Sequence, residues 1–402
     1  MPHSHLKVLF FAEGATLAHA ARPFVLARSL DAARFEVVFA RPATYAWLTA
    51  DAPFRTVDLR CQSSAIFTRR LEHGLPLYDY ATLEKYAADD LALIDAEAPD
   101  VIIGDFRLSL TVSARLRNVP YITVCDAYWS PEYPLRPPLP VLSFTRFIPI
   151  PVAALLFQCV SPLAMRLHTL PIERLRARHG LPPLEHDLRR CYTDADLRLF
   201  ANFPMLFPEV TLNDQAAFIG PLSWSPTPTA PLDLPQGEKR LVYVTMGSSG
   251  KTEVLTNIAS VLEQLDCDVV VSTAGKKLSC DLRSHRTRVF DYVPGDLVCQ
   301  RAALVVCNGG SPTTSQALLH GVPVLGIPWN MDQFLNMAAI ERFGAGRLVR
   351  GDRASTQELK RAVELLFDAG YAARSKVLMK STDPHAIGQT IETSISQCLS
   401  SH

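Results

Sequence analysis

The sequence predicts an α/β chain of two doubly wound, parallel-sheet domains, and three observations carry that prediction. Short runs rich in Val, Ile, Leu and Phe alternate with helical stretches through the first half of the chain. A proline-rich segment without periodicity, GPLSWSPTPTAPLDLPQG at 220–237, breaks the alternation, which then restarts. With 402 residues the chain exceeds one ordinary core, so two domains of roughly 200 residues each are expected. The expected boundaries are 1–219 for the N-terminal domain, 220–238 for a stiff linker, 239–384 for the second domain and 385–402 for a C-terminal helix.

The first apolar run is LKVLFFA at 6–12, followed by a helical pattern over 18–30 and by FEVVFAR at 35–41. LEKYAADDLALIDAEA at 83–98 reads as a helix, and PDVIIGDF at 99–106 and PYITVCD at 120–126 read as strands. Beyond the linker, strand-like runs recur as RLVYVTMGS (240–248), DVVVSTAG (268–275), TRVFDYV (287–293), AALVVCNGG (302–310) and PVLGIPW (323–329). Continuous rather than alternating apolar runs mark strands buried on both faces, as in a parallel sheet covered by helices. Ligands of such sheets bind beyond the carboxyl ends of the strands. Two of them in tandem are therefore expected to face each other across a cleft.

Forty basic and forty acidic side chains cancel, which argues against a nucleic-acid partner held by bulk charge. The nine cysteines are odd in number, form no CxxC pair and lie mostly in apolar runs; they read as buried thiols of a cytoplasmic protein. MPHSHLKVLFFAEG lacks the basic stretch and long apolar core of a signal peptide. The most apolar region, 147–165, has the length of a membrane span but carries Pro149, Pro151 and Pro162. No transmembrane segment is predicted there, because a lipid-exposed helix needs its freed backbone groups satisfied elsewhere. It reads as pocket lining or buried core, with weak, shallow membrane contact as a second reading.

VVCNGGSPTTSQAL sets a strand, a glycine turn and a helix start in series. Unpaired amides at such a helix start, and its positive end, favour an anion, although a plain strand-to-helix turn uses the same residues. VTMGSSGKT at 244–252 looks like a P-loop but fails the GxxxxGK[ST] spacing.

Over 289–346 the chain resembles the donor-binding segment of inverting nucleotide-sugar glycosyltransferases of the GT-B fold, the family of plant flavonoid and bacterial macrolide glycosyltransferases. The matching motifs are YVP at 292–294, NGGSPTTSQ at 308–316, GVP at 321–323 and DQ at 332–333. The resemblance implies that Tyr292 stacks on the nucleobase and that the backbone of Val293 pairs with its edge. It implies that Asn308, Gly309, Gly310, Ser311 and Thr313 surround the diphosphate, that Gln316 meets the ribose, and that Asp332 and Gln333 bond sugar hydroxyls. Ser248 and Ser249 follow as further phosphate contacts. Three positions depart from the pattern: Asn308 replaces a His, Pro312 an Asn, and Gln316 a Glu. Asn308 and Gln316 keep hydrogen-bonding capacity without charge, and the donor is left open between a UDP-sugar and a dTDP-sugar.

The same resemblance places a general base early in the first domain. The family has a His three residues before a Pro at the first helix; here His19 precedes Pro23 by four. An imidazole, whose ordinary pKa is about 6.5, accepts an alcohol proton near neutrality. Asp105, ending VIIGD, matches the family Asp that orients the base, and it could otherwise cap the next helix. No Asp-x-Asp pair sits at the expected metal-binding strand end, so no metal or other cofactor is expected; amides and the helix terminus would assist diphosphate departure. Tyr128, Trp129, Tyr133 and Phe144 suggest a wall for a small hydrophobic alcohol. The C-terminal helix is expected to pack back on the N-terminal domain, as in the resembling family. The expected function is inverting sugar transfer to a natural-product or lipid-like hydroxyl. A non-catalytic nucleotide-sugar binder and a GT-B-fold epimerase are the alternatives.

Overall fold

Branched aliphatic runs become two parallel sheets in the computed structural model, which describes residues 5–227, 231–247, 253–278, 281–383 and 385–402. The chain divides into two compact units, one of Met1–Leu135, Cys159–Leu222 and Asp383–His402, the other of Arg136–Gln158 and Ser223–Thr382. Residues 136–158 thus belong with the second unit, where the backbone amide of Val141 donates to the carbonyl of Trp329 at 2.8 Å and Arg350 donates to the carbonyl of Leu139 at 2.7 Å.

The first unit contains β1 (Leu6–Ala12), β2 (Phe35–Arg41), β3 (Arg55–Asp58), β4 (Val101–Asp105), β5 (Tyr121–Cys125), β6 (Leu197–Phe200) and β7 (Ala216–Phe218). They form one seven-stranded sheet in the order β3-β2-β1-β4-β5-β6-β7, with every pair parallel. The order reverses at the β1/β4 junction, where Ala12 lies opposite Asp105. A crevice opens at the carboxyl end of such a switch point because the crossovers on its two sides diverge. Phe10, Phe24 and Phe39 fill the core between the sheet and the Ala18–Ser29 helix, each contributing about 1.5–3 kcal/mol by burial. The Ala386–Ser401 helix closes this unit. Its Ile391 and Ile395 are fully buried, Glu392 pairs with Arg34, and Gln397 donates to the carbonyl of Asp214 at 2.9 Å.

The second unit contains β8 (Leu241–Thr245), β9 (Asp268–Ser272), β10 (Thr287–Phe290), β11 (Ala302–Cys307), β12 (Val324–Gly326) and β13 (Gly346–Leu348). The parallel order is β10-β9-β8-β11-β12-β13. Here the reversal falls between β8 and β11, with Thr245 opposite Cys307.

The apolar stretch at 147–165 departs from the buried reading. Ile150–Arg178 is one helix with Pro162 and Pro171 inside it, and most of its apolar side chains are exposed. Each proline removes an i→i−4 hydrogen bond, a loss of ~3 kcal/mol in a helix interior. The carbonyls so freed belong to Gln158 and Leu167, both exposed residues that water can reach.

Beneath the β1 turn lies an ionic cluster without solvent contact. Arg107 donates to Asp90 at 2.9 and 3.0 Å and to Glu13 at 3.1 Å, while its guanidinium stands 3.6 Å from the Tyr86 ring centroid. Burial raises the pKa of both carboxyls, and Arg107 opposes that rise. Removing one partner of a buried ionic group leaves uncompensated charge, which costs about 3–5 kcal/mol. Arg107→Met is therefore expected to lower unfolding stability in urea by about that amount; a loss within error of zero would show that the cluster does not hold the β1 turn.

Candidate active site

Asp105 sits at the last position of β4, 1% exposed, and three bonds converge on it. His19 Nδ1 lies 2.7 Å from Asp105 Oδ1. Arg22 Nε donates to Oδ2 at 2.7 Å, and a terminal nitrogen of the same guanidinium donates to Oδ1 at 3.0 Å. His19 and Arg22 stand three apart on the Ala18–Ser29 helix, so they share a face. The other arm of Arg22 reaches Asp126, just past β5, at 2.8 Å. Asp126 is held in turn by the Asn202 carboxamide at 2.9 Å, just past β6. Burial would raise the Asp105 pKa, but the positive charge of Arg22 and the bond to His19 outweigh it and hold the carboxyl below its usual value. An ionised Asp105 requires the proton on Nδ1. Nε2 then carries the lone pair, and among the described residues it has no hydrogen-bond partner. The helix after β4 begins at Leu110 behind Ser109, so Asp105 does not cap it.

The imidazole lies flat on Phe106, with centroids 4.7 Å apart and planes 13° apart. Phe106 has φ +59°, a left-handed conformation uncommon for an aromatic residue and typical of over-determined sites. From Phe106 the aromatic contacts run to Tyr192 at 5.1 Å and on to Trp129 at 5.3 Å. Trp129 and Tyr133 are half-buried beside this row, so they can border an apolar ligand. One expected wall residue does not fit there: Tyr128 is fully buried against Phe207 and can only support the wall from behind. Phe144 is exposed and belongs to the other compact unit, its segment being bonded to the loops after β12 and β13.

In the second unit, the turn after β11 is built by Asn308, Gly309 and Gly310. Gly309 has φ +83°, and a Cβ there would stand 2.5 Å from Met337 Cγ, so both backbone and space demand glycine. The Asn308 side-chain oxygen accepts the Gly310 amide at 3.1 Å, and its nitrogen lies 3.6 Å from where a Cβ on Gly247 would stand. The turn after β8 therefore meets the turn after β11. Pro312 has no N–H, so the amide that the first turn of the Ser311–Leu319 helix offers to an anion is that of Thr313. Thr314 Oγ1, beside Thr313, is committed inward and receives a 2.8 Å bond from Asn336.

Other expected donor residues divide between display and support. Tyr292 is 50% exposed while Val293 is buried. Asp332 is half-buried in the first turn of the Met331–Phe343 helix. Gln333 closes a capping box with Asn330, and its carboxamide oxygen accepts the Trp329 amide at 2.9 Å; that oxygen is committed to shaping the loop. Gln316 donates to Asp296 Oδ1 at 3.1 Å, and His320 Nε2 lies 3.3 Å from the same oxygen. Ser248 and Ser249 lie outside the described residues. Among the described residues no group of three or more His, Cys, Asp or Glu is arranged to hold a metal.

Sequence reasoning missed Arg22, Asp126, Asn202, Phe106, Tyr192 and Asp296. Arg22 had a signal in its i,i+3 spacing from His19, and Asp126 in its place just beyond a strand, like Asp105. Asn202 and Tyr192 carried none.

Residues 255–390 match the family described as Erythromycin biosynthesis protein CIII-like, C-terminal domain. The chain is 41% identical over 395 residues to a PGL/p-HBAD biosynthesis glycosyltransferase of Mycobacterium tuberculosis, covering 97% of this chain and 92% of that protein. It is 42% identical over 361 residues to a PGL/p-HBAD biosynthesis rhamnosyltransferase of Mycobacterium bovis, covering 89% and 80%. Its fold is similar to that of the Streptomyces sp. SF2575 glycosyltransferase SsfS6, solved with thymidine diphosphate, with TM-score 0.66, 17% identity and coverage of 97% of this chain and all of that one.

The depressed Asp105 pKa fixes a pH dependence. A carboxyl held below its ordinary 3.8 contributes stability that is complete above that value and is lost as pH falls through the folded value. In urea unfolding, the gap between wild type and Asp105→Asn is expected to shrink as pH falls below about 4. A gap that keeps its full size, or widens, below about pH 3 would contradict this assignment of charge.

Proposed function

Since this chain belongs to the GT-B glycosyltransferase family that contains the mycobacterial PGL/p-HBAD biosynthesis enzymes, we propose that it moves a sugar from a nucleoside diphosphate to an alcohol or phenol with inversion at the anomeric carbon. The observation that carries this reading is the Asp105–His19 bond, which leaves Nε2 with a lone pair beside an aromatic row. An acceptor hydroxyl donates its hydrogen bond to Nε2. As the oxygen forms its bond to the anomeric carbon, the bond to the diphosphate breaks and the proton passes to Nε2. Asp105 then faces an imidazolium. One displacement with no covalent sugar on the protein inverts the centre.

The leaving diphosphate suits the amide of Thr313 and the positive end of its helix. Tyr292 offers an exposed ring for the base. Gln316 supports a dTDP-sugar over a UDP-sugar. A carboxylate can accept from two ribose hydroxyls at once, whereas deoxyribose presents only one, and Gln316 spends its amide on Asp296. The thymidine diphosphate bound by SsfS6 and the rhamnosyltransferase relative favour a dTDP-6-deoxyhexose as the first donor to test. Asp296 turns Oδ1 to Gln316, Ser223 and His320. Its side chain is 37% exposed, so the carboxylate can also accept the sugar hydroxyl of the nucleoside.

Turnover is read as nucleoside diphosphate released from dTDP-rhamnose or UDP-glucose only when a phenol is present, with product configuration read by NMR. His19→Ala is expected to lower kcat by about 10²–10⁴-fold while donor-induced thermal stabilisation persists; undiminished turnover, or a retained anomeric configuration, rules the mechanism out. Asp296→Asn is expected to raise the donor KM by about tenfold with kcat nearly unchanged. An unchanged KM would remove Asp296 from the donor site.

A further inference from the structure

The Ile150–Arg178 helix shows the protein two different faces. Ala153, Ser161 and Thr169 are buried, at 0%, 3% and 0% exposure, and tie one side down. The opposite side carries Val152, Leu156, Val160, Leu163, Leu167 and Leu170, all 45–61% exposed, and each is three or four residues from the next. Leu155 at 64% widens the stripe, and Phe147, just before the helix, is 87% exposed. A run of this size on water is a binding surface rather than scattered exposure.

Charge along the segment selects the partner. Residues 147–165 contain no Asp, Glu, Lys or Arg, and the two residues that flank them are Arg146 and Arg166. Both arginines are exposed. Among the described residues neither has an acidic partner, unlike Arg178, which pairs with Glu84 at 2.8 Å. Glu173 is the one acidic residue from Pro134 to Arg178; it is buried, and its carboxylate accepts the Leu184 and His186 amides at 3.1 and 2.8 Å. An apolar stripe bounded by unpaired cations, with no exposed anion along its length, complements a surface that is apolar within and negative at its rim.

We propose that this face lies in the headgroup region of an anionic lipid membrane, with Phe147, Leu155 and Leu163 inserted below the phosphates and Arg146 and Arg166 beside them. A spanning helix is excluded by the buried residues, which hold one side of this helix against the protein; a helix in the interface plane buries only one face in lipid. Arginine attraction to the leaflet weakens within a Debye length and is screened by salt.

The test is sedimentation of the full chain with vesicles of phosphatidylcholine alone or with 30% phosphatidylglycerol, about 30% being enough to set a negative surface potential. The anionic vesicles are expected to retain the protein, and raising salt to about 0.5 M is expected to release most of it. Leu155→Asp with Leu163→Asp is expected to cut the retained fraction at least about fivefold, and Arg146→Glu with Arg166→Glu is expected to abolish the preference for anionic vesicles. Circular dichroism and donor-induced thermal stabilisation serve as folding controls, since the leucines altered are more than half exposed. Equal retention by both vesicle types would overturn the proposal. So would concentration-dependent dimerisation that the leucine changes abolish in the absence of vesicle binding, which would assign the stripe to a second copy of the chain. Vesicle binding is independent of sugar transfer, so failure here leaves the catalytic reading untouched.

Discussion

A buried carboxylate can persist at the end of a central strand only if something compensates its lost hydration, and at Asp105 that something is Arg22. Two bonds from one guanidinium satisfy both carboxylate oxygens, and the fork geometry fixes the plane of the carboxylate as well as its charge. Each oxygen keeps one further lone-pair site, and His19 occupies the one on Oδ1 at 2.7 Å. The imidazole is therefore oriented by a residue on its own helix through a residue on the sheet. Asp126 and Asn202 extend the same constraint across the ends of β5 and β6.

Both candidate sites arise from one topological device used twice. In each sheet the strand order reverses at the first strand of the unit, β1 in one and β8 in the other, and the candidate site residues lie just beyond that junction. The first unit places side chains there, an imidazole and its ion pairs. The second places backbone there, held open by Gly309 under Met337 and by the Asn336 bond to the Gly309 carbonyl at 2.8 Å. The difference follows the task expected of each: a proton needs a titratable nitrogen, and a diphosphate needs amides at a helix start.

Much of this was legible in the sequence, and the exceptions have physical causes. Leu6–Ala12 and Phe35–Arg41 match their apolar runs end for end because both faces of those strands are covered. The run 302–310 outlasts its strand, which stops at Cys307, because Asn308, Gly309 and Gly310 leave the ladder to build the turn. Arg55–Asp58, Leu197–Phe200, Ala216–Phe218 and Gly346–Leu348 escaped notice. They are three or four residues long and lie at or towards sheet edges, where polar residues such as Arg198 interrupt the pattern. Proline misled at 162: it argues against a helix buried in lipid, but it leaves intact a helix whose freed carbonyl meets water. His19, Asp105, Asn308 and Tyr292 could be picked out by resemblance, whereas Asn202 is called up only by the fold.

Two buried guanidiniums in the first unit act on their carboxylates with different results. Arg22 outweighs the burial of Asp105 and, with His19, holds that carboxyl below its usual value. Arg107 opposes the burial of Glu13 and Asp90 without outweighing it, so both carboxyls stay raised. The difference lies in what surrounds each group. Glu13, Arg107 and Asp90 have no exposed side-chain surface, and desolvation there is complete. Asp105 is bonded to an imidazole that is itself 18% exposed, so the ionised carboxylate is coupled to a ring that a ligand can reach, whereas the Arg107 cluster is closed on itself among the described residues.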